Sequence, residues 1–121
     1  MSAENLRKIV DDLSRIEFEH VEDVRRYAYK LRDLQRAVSI EADLSADELQ
    51  AQLELTPLSP TEGGGTTRKR AKMVATHLRR TADYARASAI SAVRLWSSMR
   101  RHYGSLMKPE KASKKKSLNF N

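Results

Sequence analysis

The apolar residues between Leu6 and Val38 recur every three or four positions, and neither glycine nor proline interrupts them. This period places them on one side of an α-helix, and good helix formers fill the positions between. The sequence therefore predicts one long amphipathic helix over about 4–40. The helix is most readily broken at Glu17–His20, because Phe18 leaves the apolar stripe. The stripe fits a 3.5-residue repeat nearly as well as 3.6, which also allows coiled-coil packing.

A capping-box pattern follows this stripe. Ser45 occupies the N-cap position and Glu48 stands three residues later, so that each side chain can accept a hydrogen bond from the other's backbone N–H. Leu44 and Leu49 flank them at the positions of a hydrophobic staple. The pattern predicts a short capped helix over about 46–55, ended by the Thr-Pro pair that follows.

The rest of the chain reads as a connector, a second long helix and a tail. Residues 56–67 contain two prolines and three consecutive glycines, a composition typical of a flexible linker. Helical periodicity returns over about 68–107, with bases on one face and an opposite face that includes Val74, His77, Tyr84 and Leu95. Residues 108–121 are polar and basic, which predicts a disordered tail.

These elements predict an all-α protein in which two long amphipathic helices enclose a short one, as a helical hairpin or bundle. A single hairpin buries little apolar surface, so we expect it to form homo-oligomers. Residues 1–55 would be the acidic and mixed-charge oligomerisation or docking segment. The expected interface consists of apolar residues from both stripes: Leu6, Val10, Leu13, Val24, Leu31, Leu34, Leu78, Ala85, Ala92, Trp96 and Met99.

Charge is distributed very unevenly along the chain. The net charge is +7, but residues 63–121 hold fifteen bases and two acids, whereas residues 41–62 hold six acids and no base. Residues 1–24 are also acidic, with seven acids and three bases. Such asymmetry indicates one end that faces a polyanion and another that faces protein.

The basic face of the second helix is the strongest functional feature. Arginines one or two turns apart can contact successive phosphates, and counterion release favours that association. No zinc-finger spacing, RNA-binding signature or helix-turn-helix is present, so we expect binding to DNA or RNA with little sequence selectivity. The predicted nucleic-acid-binding residues are Arg68, Lys69, Arg70, Lys72, Arg79, Arg80, Arg86, Arg94, Arg100, Arg101, Lys114, Lys115 and Lys116.

Alternative roles for this basic face stay open. It could dock on an acidic protein surface or an anionic membrane, as part of an adaptor or structural assembly subunit. It could also be a solvated face that the acidic segments 1–24 and 41–62 neutralise. Small residues such as Thr81 and Ala85 dilute the apolar face, which argues against a membrane and favours helix packing.

Two aromatic positions have competing interpretations. Arg25–Lys30 interleaves bases with tyrosines, an arrangement that can hold single strands by stacking. Tyr27, however, belongs to the apolar stripe, which favours core packing. Trp96 lies on the apolar face and is expected to anchor a core or interface rather than stack on bases.

Catalysis has little support in the sequence. There is no cysteine, and His20, His77 and His102 lie too far apart to form a helical metal-ligand pair. The glycines at 63–65 lack the spacing of a phosphate-binding loop. We therefore predict a protein that is not an enzyme and needs no metal or cofactor.

The biological setting is predicted only broadly. No segment approaches the roughly 18 apolar residues that span a bilayer, which predicts an intracellular protein in the cytoplasm or on the nucleoid, or a virion component. The architecture fits a plasmid- or phage-encoded accessory factor, a nucleoid-type protein or a virion protein that packages a genome.

Overall fold

The computed structural model describes residues 3–57 and 66–107, and within these ranges the chain is all-α. Helix α1 spans Ala3–Ser14, α2 spans Val21–Glu54 and α3 spans Thr67–His102, followed by a 3₁₀ turn over Gly104–Met107. Two long helices and a short one confirm the predicted class of helical hairpin or bundle. The bounds and order of the helices differ from the prediction in two places.

The first difference is that the helix predicted over 4–40 is divided between Ser14 and Val21. At the end of α1 the Asp11 carbonyl accepts hydrogen bonds from the Ser14 hydroxyl at 2.7 Å and from the Arg15 backbone N–H at 3.1 Å. The break includes the Glu17–His20 segment that the sequence indicated. Phe18 contacts Tyr27 edge-on across it, with ring centroids 5.3 Å apart.

The second difference is that the separate capped helix predicted over 46–55 does not exist. Those residues continue α2 without a break, and the Ser45 hydroxyl donates to the Glu41 carboxylate at 3.4 Å, one turn earlier. Buried Ala42 and Ala46 continue the packed face of α2 through this region, so packing favours one helix over two. The short helix of the fold therefore precedes the long ones instead of separating them.

Asp23 fixes the start of α2. Its carboxylate accepts hydrogen bonds from the backbone N–H groups of His20 at 2.8 Å and Glu19 at 3.1 Å, and the Arg26 guanidinium lies 3.2 Å away. The His20 hydrogen bond lowers the pKa of Asp23 below its ordinary value, and burial opposes that shift only in part. An ionised Asp23 therefore stabilises the helix start.

Replacing Asp23 with asparagine is expected to reduce the free energy of unfolding at neutral pH by about 1 kcal/mol, because charge-assisted hydrogen bonds become neutral ones. Since the folded pKa lies below the unfolded value of about 3.9, this stabilisation is present above that pH and is lost as pH falls through the folded pKa. Urea denaturation across a pH series measures it. Glu22→Gln, an exposed change in the same turn, is the control. If the Asp23 variant is still less stable than the wild type in strong acid, the ionised carboxylate is not the cause of the difference.

Residues 3–35 and 88–107 form one compact unit. Its core brings the beginning of α2 against the end of α3, and Leu13 of α1 is also buried. The half-buried Tyr29, Leu106 and Met107 pack against this core. The cluster itself consists of Val21, Val24, Ala28, Trp96 and Met99.

Residues 36–57 and 66–87 form a second compact unit, in which α2 and α3 run antiparallel. The direction follows from two ion pairs, Asp43 with Arg86 and Asp47 with Arg79, whose order reverses along the chain. Small buried side chains at spacings of three, four and seven residues, which keep to one face of each helix, let the two backbones approach closely. We call this packed row the alanine seam: Ser39, Ala42 and Ala46 on α2, and Ala71, Ala75, Ala82 and Ala85 on α3.

Candidate functional site

Ten of the thirteen residues predicted to bind nucleic acid lie on α3, and Lys114, Lys115 and Lys116 lie outside the described residues. Eight of the ten are exposed, whereas Arg70 and Arg79 are partly buried. Seven of the ten, from Arg68 to Arg86, belong to the second unit, and the four from Arg68 to Lys72 lie in the first two turns of the helix. Helix α3 therefore carries the predicted bases at its surface.

Two of these arginines are engaged by acids of α2. The Arg79 guanidinium donates to Asp47 at 3.1 Å, and that of Arg86 donates to Asp43 at 2.7 Å and also to Asp83. The Asp43 and Asp83 carboxylates raise the pKa of Arg86 above its ordinary value. Such exposed pairs contribute little to stability, but they neutralise part of the basic face. The acidic segment 41–62 thus competes for these two positions.

A groove with several cations opens beside the start of α3. Its volume is about 500 Å³, and within residues 3–57 and 66–107 none of the residues that line it is acidic. We call it the cationic groove; it is lined by Gln50, Thr66, Arg68, Lys69, Lys72, Thr76 and Arg79.

The N-terminal end of α3 strengthens the positive potential of this groove. The Thr66 hydroxyl accepts a hydrogen bond from the Lys69 backbone N–H at 3.1 Å and so caps the helix. No acid of α3 itself occupies its first turn, so the helix supplies no carboxylate to offset the positive end of its own dipole. The Arg68 side chain is 88% exposed, and its Nε lies 3.9 Å from Glu54, too far for a strong ion pair. This arrangement of cations and backbone N–H groups is suited to binding phosphate oxygens.

Gln50 adds one polar group of a different kind. Its Nε2 donates to the Glu54 carboxylate at 3.1 Å, whereas its Oε1 is buried and has no hydrogen-bond partner among the described residues. A buried amide oxygen without a donor is unfavourable by about 1–3 kcal/mol. A ligand that brings a hydroxyl or amino group into the groove would satisfy it.

Several bases of α3 beyond the engaged pairs are available for a ligand. Within residues 3–57 and 66–107, no ion pair is made by the side chains of Lys69, Lys72 and Arg80 in the second unit, or by those of Arg94, Arg100 and Arg101 in the first. All six are exposed. Each unit therefore carries its own group of uncompensated bases.

Packing within the chain occupies much of the predicted oligomer interface. Leu6, Leu31, Leu34 and Leu78 are partly buried, and Val10 is 52% exposed. The remaining members are buried in the compact units: Leu13, Val24, Ala85, Ala92, Trp96 and Met99.

The tyrosines of the Arg25–Lys30 segment have partners in their own chain. The Tyr27 ring packs edge-on against Phe18. The Tyr29 ring lies 4.6 Å from the Arg32 guanidinium carbon and 5.7 Å from that of Arg25. These cation–π contacts, with the packing of Tyr29 against the core, hold both rings in intramolecular contacts.

Sequence reasoning found the cations of the groove but missed its polar residues. Thr66 had a detectable signal, since threonine directly before a helical run is a favoured N-cap. Gln50 and Thr76 had none, because nothing in their local pattern shows that they face the cations of α3.

Two further features limit the chemistry of the described residues. No group of three or more histidine, cysteine, aspartate or glutamate side chains within them is placed to hold a metal ion. None of their helices is long and apolar enough to cross a membrane.

Comparison with known proteins identifies a family. No curated protein and no solved structure matches the chain. The sequence profile described as "Plasmid transfer protein TraA-like" matches residues 3–121, nearly the whole chain. This result agrees with the plasmid accessory factor, one of the three roles that the architecture suggested. The chain belongs to the TraA-like family of plasmid transfer proteins.

Proposed function

We propose that this protein is a non-enzymatic accessory factor of plasmid transfer that binds nucleic acid through the cationic groove and the uncompensated bases of α3. The observation that carries the proposal is the groove itself, where Arg68, Lys69, Lys72 and Arg79 converge and none of the described residues that line it is acidic. We take DNA as the ligand, because a plasmid is DNA and the family is one of plasmid transfer proteins.

Phosphate contacts would dominate the binding energy. Each cation that meets a phosphate releases condensed counterions, so affinity should fall steeply with salt. Arg79 retains donors for a ligand, because its guanidinium has five N–H groups and only one nitrogen contacts Asp47 within hydrogen-bonding distance. Gln50 gives the groove one buried unsatisfied acceptor among the described residues, which is too little for reading a base sequence. We therefore expect a protein that coats or organises DNA with little sequence preference.

One observation favours a second candidate, an adaptor whose basic helix docks on an acidic protein. Arg79 pairs with Asp47, and Arg86 pairs with Asp43, so the basic face of α3 already binds an acidic helix within this chain. A packed protein partner would bury apolar surface and depend weakly on salt, whereas DNA binding would depend on salt strongly. The salt dependence of binding therefore separates the two candidates.

Reversing two charges of the groove, Lys69→Glu with Lys72→Glu, is expected to weaken binding to a labelled duplex by about tenfold or more. The slope of log Kd against log salt should fall by about two, one unit for each lost phosphate contact. Fluorescence anisotropy across a salt series, with a duplex and a single strand of random sequence, gives both quantities.

The matched control for this experiment is Arg7→Glu with Lys8→Glu on α1, which changes the net charge equally at exposed positions without ion pairs among the described residues. Equal loss of affinity in both variants would show that net charge, and not the groove, carries the binding. Absence of binding by the wild-type protein at low salt would reject the nucleic-acid proposal and leave the acidic-protein candidate.

A further inference from the structure

Helix α2 has a second apolar face that nothing covers among the described residues. In the second unit, Ile40 and Leu44 are 62% and 61% exposed, and Ala51 is exposed two turns later. Spacings of four and seven residues place them on the side of the helix opposite the buried Ala42 and Ala46. We call these three residues the α2 outer stripe; Leu55, 80% exposed, follows just beyond the helix end.

Helix α3 has a matching face in the same unit. Met73 and Tyr84 are 60% and 72% exposed, and the exposed His77 lies between them. These residues are again separated by four and seven positions and lie opposite Ala75 and Ala82 of the alanine seam. We call them the α3 outer stripe.

The two stripes are flanked by opposite charges. Glu41 and Glu48 border the α2 outer stripe, and the exposed Asp47 lies on that face between Leu44 and Ala51, within a segment of six acids and no base. Lys69 borders the α3 outer stripe, and Arg80 lies on that face between His77 and Tyr84. Neither Glu48 nor Arg80 makes an ion pair within the described part of the chain. The chain thus carries two halves of a complementary interface, with equal spacing of the apolar residues.

One chain cannot join these halves. Each stripe lies on the side of its helix that points away from the alanine seam, so the two face in opposite directions within the second unit. We propose that the α2 outer stripe of one copy packs against the α3 outer stripe of another copy. Because this contact joins two different surfaces, each added copy leaves a free stripe at both ends, and the assembly is open-ended unless rotation closes a ring.

Charge decides between this pairing and the simpler one of α2 with α2. Two α2 outer stripes would bring their acidic borders together, which is unfavourable, whereas the α2–α3 pairing places acids beside bases. Exposed apolar rows bordered by charge are the usual form of such helix–helix interfaces. This assembly needs no ligand, so it can be tested without DNA.

Sedimentation velocity over a concentration series, without nucleic acid, tests the apolar contact. The wild-type protein should show a mass that rises with concentration beyond the dimer or reaches a closed ring. Ile40→Ser with Leu44→Ser should weaken the association by about tenfold or more, because two apolar side chains lose their burial. The control is Ile90→Ser, an exposed isoleucine of α3 outside both stripes, at 56% exposure. A monomeric wild-type protein, or equal weakening by the control, would overturn the proposal.

Charge exchange tests the pairing itself. Glu41→Lys with Glu48→Lys on α2, and Lys69→Glu with Arg80→Glu on α3, should each weaken association of the isolated variant. A mixture of the two variants should restore it, because every contact between unlike copies then places acids beside bases. If the α2 variant alone associates as tightly as the wild type, the acids of α2 do not lie beside the bases of α3 and the proposal fails. Failure of the mixture to recover would also overturn it.

Discussion

Replacing Trp96 with alanine is expected to lower the free energy of unfolding by about 3–5 kcal/mol. Trp96 is only 9% exposed and is the largest side chain of a cluster whose other buried members include Val21, Val24 and Ala28. These smaller residues cannot fill the space that the indole occupies, so the variant retains a cavity. Since a small domain is stable by about 5–15 kcal/mol in total, the change should remove a large share of that stability.

Urea denaturation followed by far-ultraviolet circular dichroism measures this effect without relying on the fluorescence of the removed indole. Leu95→Ala is the matched control, because Leu95 precedes Trp96 on the same helix and is 42% exposed; we expect a loss of about 1 kcal/mol or less. Trp96→Phe should be intermediate. If Trp96→Ala matches the control, the indole is not a core anchor, and its predicted role at an oligomer interface regains support.

The sequence was sufficient for the fold class because long helical periodicity is its least ambiguous signal. The sequence also indicated the break beside Phe18. The capping pattern at Ser45, however, led to the wrong prediction of a separate helix. Serine and glutamate are tolerated inside helices, and that pattern signals a start only where packing lets the chain turn. Here Ala42 and Ala46, on either side of Ser45, are both buried in the same packed face, so the helix continues through the pattern.

The packed face of α3 was predicted only in part: Ala85, Ala92, Trp96 and Met99 of the expected apolar face are buried. Sorting by hydrophobicity put His77, Tyr84 and Leu95 on the apolar face, yet all three are exposed. The buried row consists mostly of alanines, which weigh little in such sorting but allow the closest approach of two helices. The ion pairs of Arg79 and Arg86 with acids of α2 could not be predicted from the local sequence either, because they depend on the register of the two antiparallel helices.

Replacing two alanines of the alanine seam, Ala75→Leu with Ala82→Leu, is expected to lower the free energy of unfolding substantially. Both alanines are 0% exposed in the unit where α2 and α3 pack, so added methylene groups have no space. Overpacking of this kind is unfavourable by about 1–3 kcal/mol per site, which gives a loss of about 2–6 kcal/mol for the pair. Thermal and urea denaturation at low protein concentration should reveal it.

Ala87→Leu isolates packing from helix propensity, because Ala87 lies on the same helix and in the same unit but is exposed. Alanine and leucine are both good helix formers, so this control should change stability by less than about 0.5 kcal/mol. Closely packed helices can admit a leucine only by moving apart, which would also separate Arg79 from Asp47, now 3.1 Å away. If the seam variant is as stable as the control, the helices have room between them. In that case the small residues of the seam do not determine the distance between α2 and α3, and so do not determine how closely the acids of α2 approach the basic face of α3.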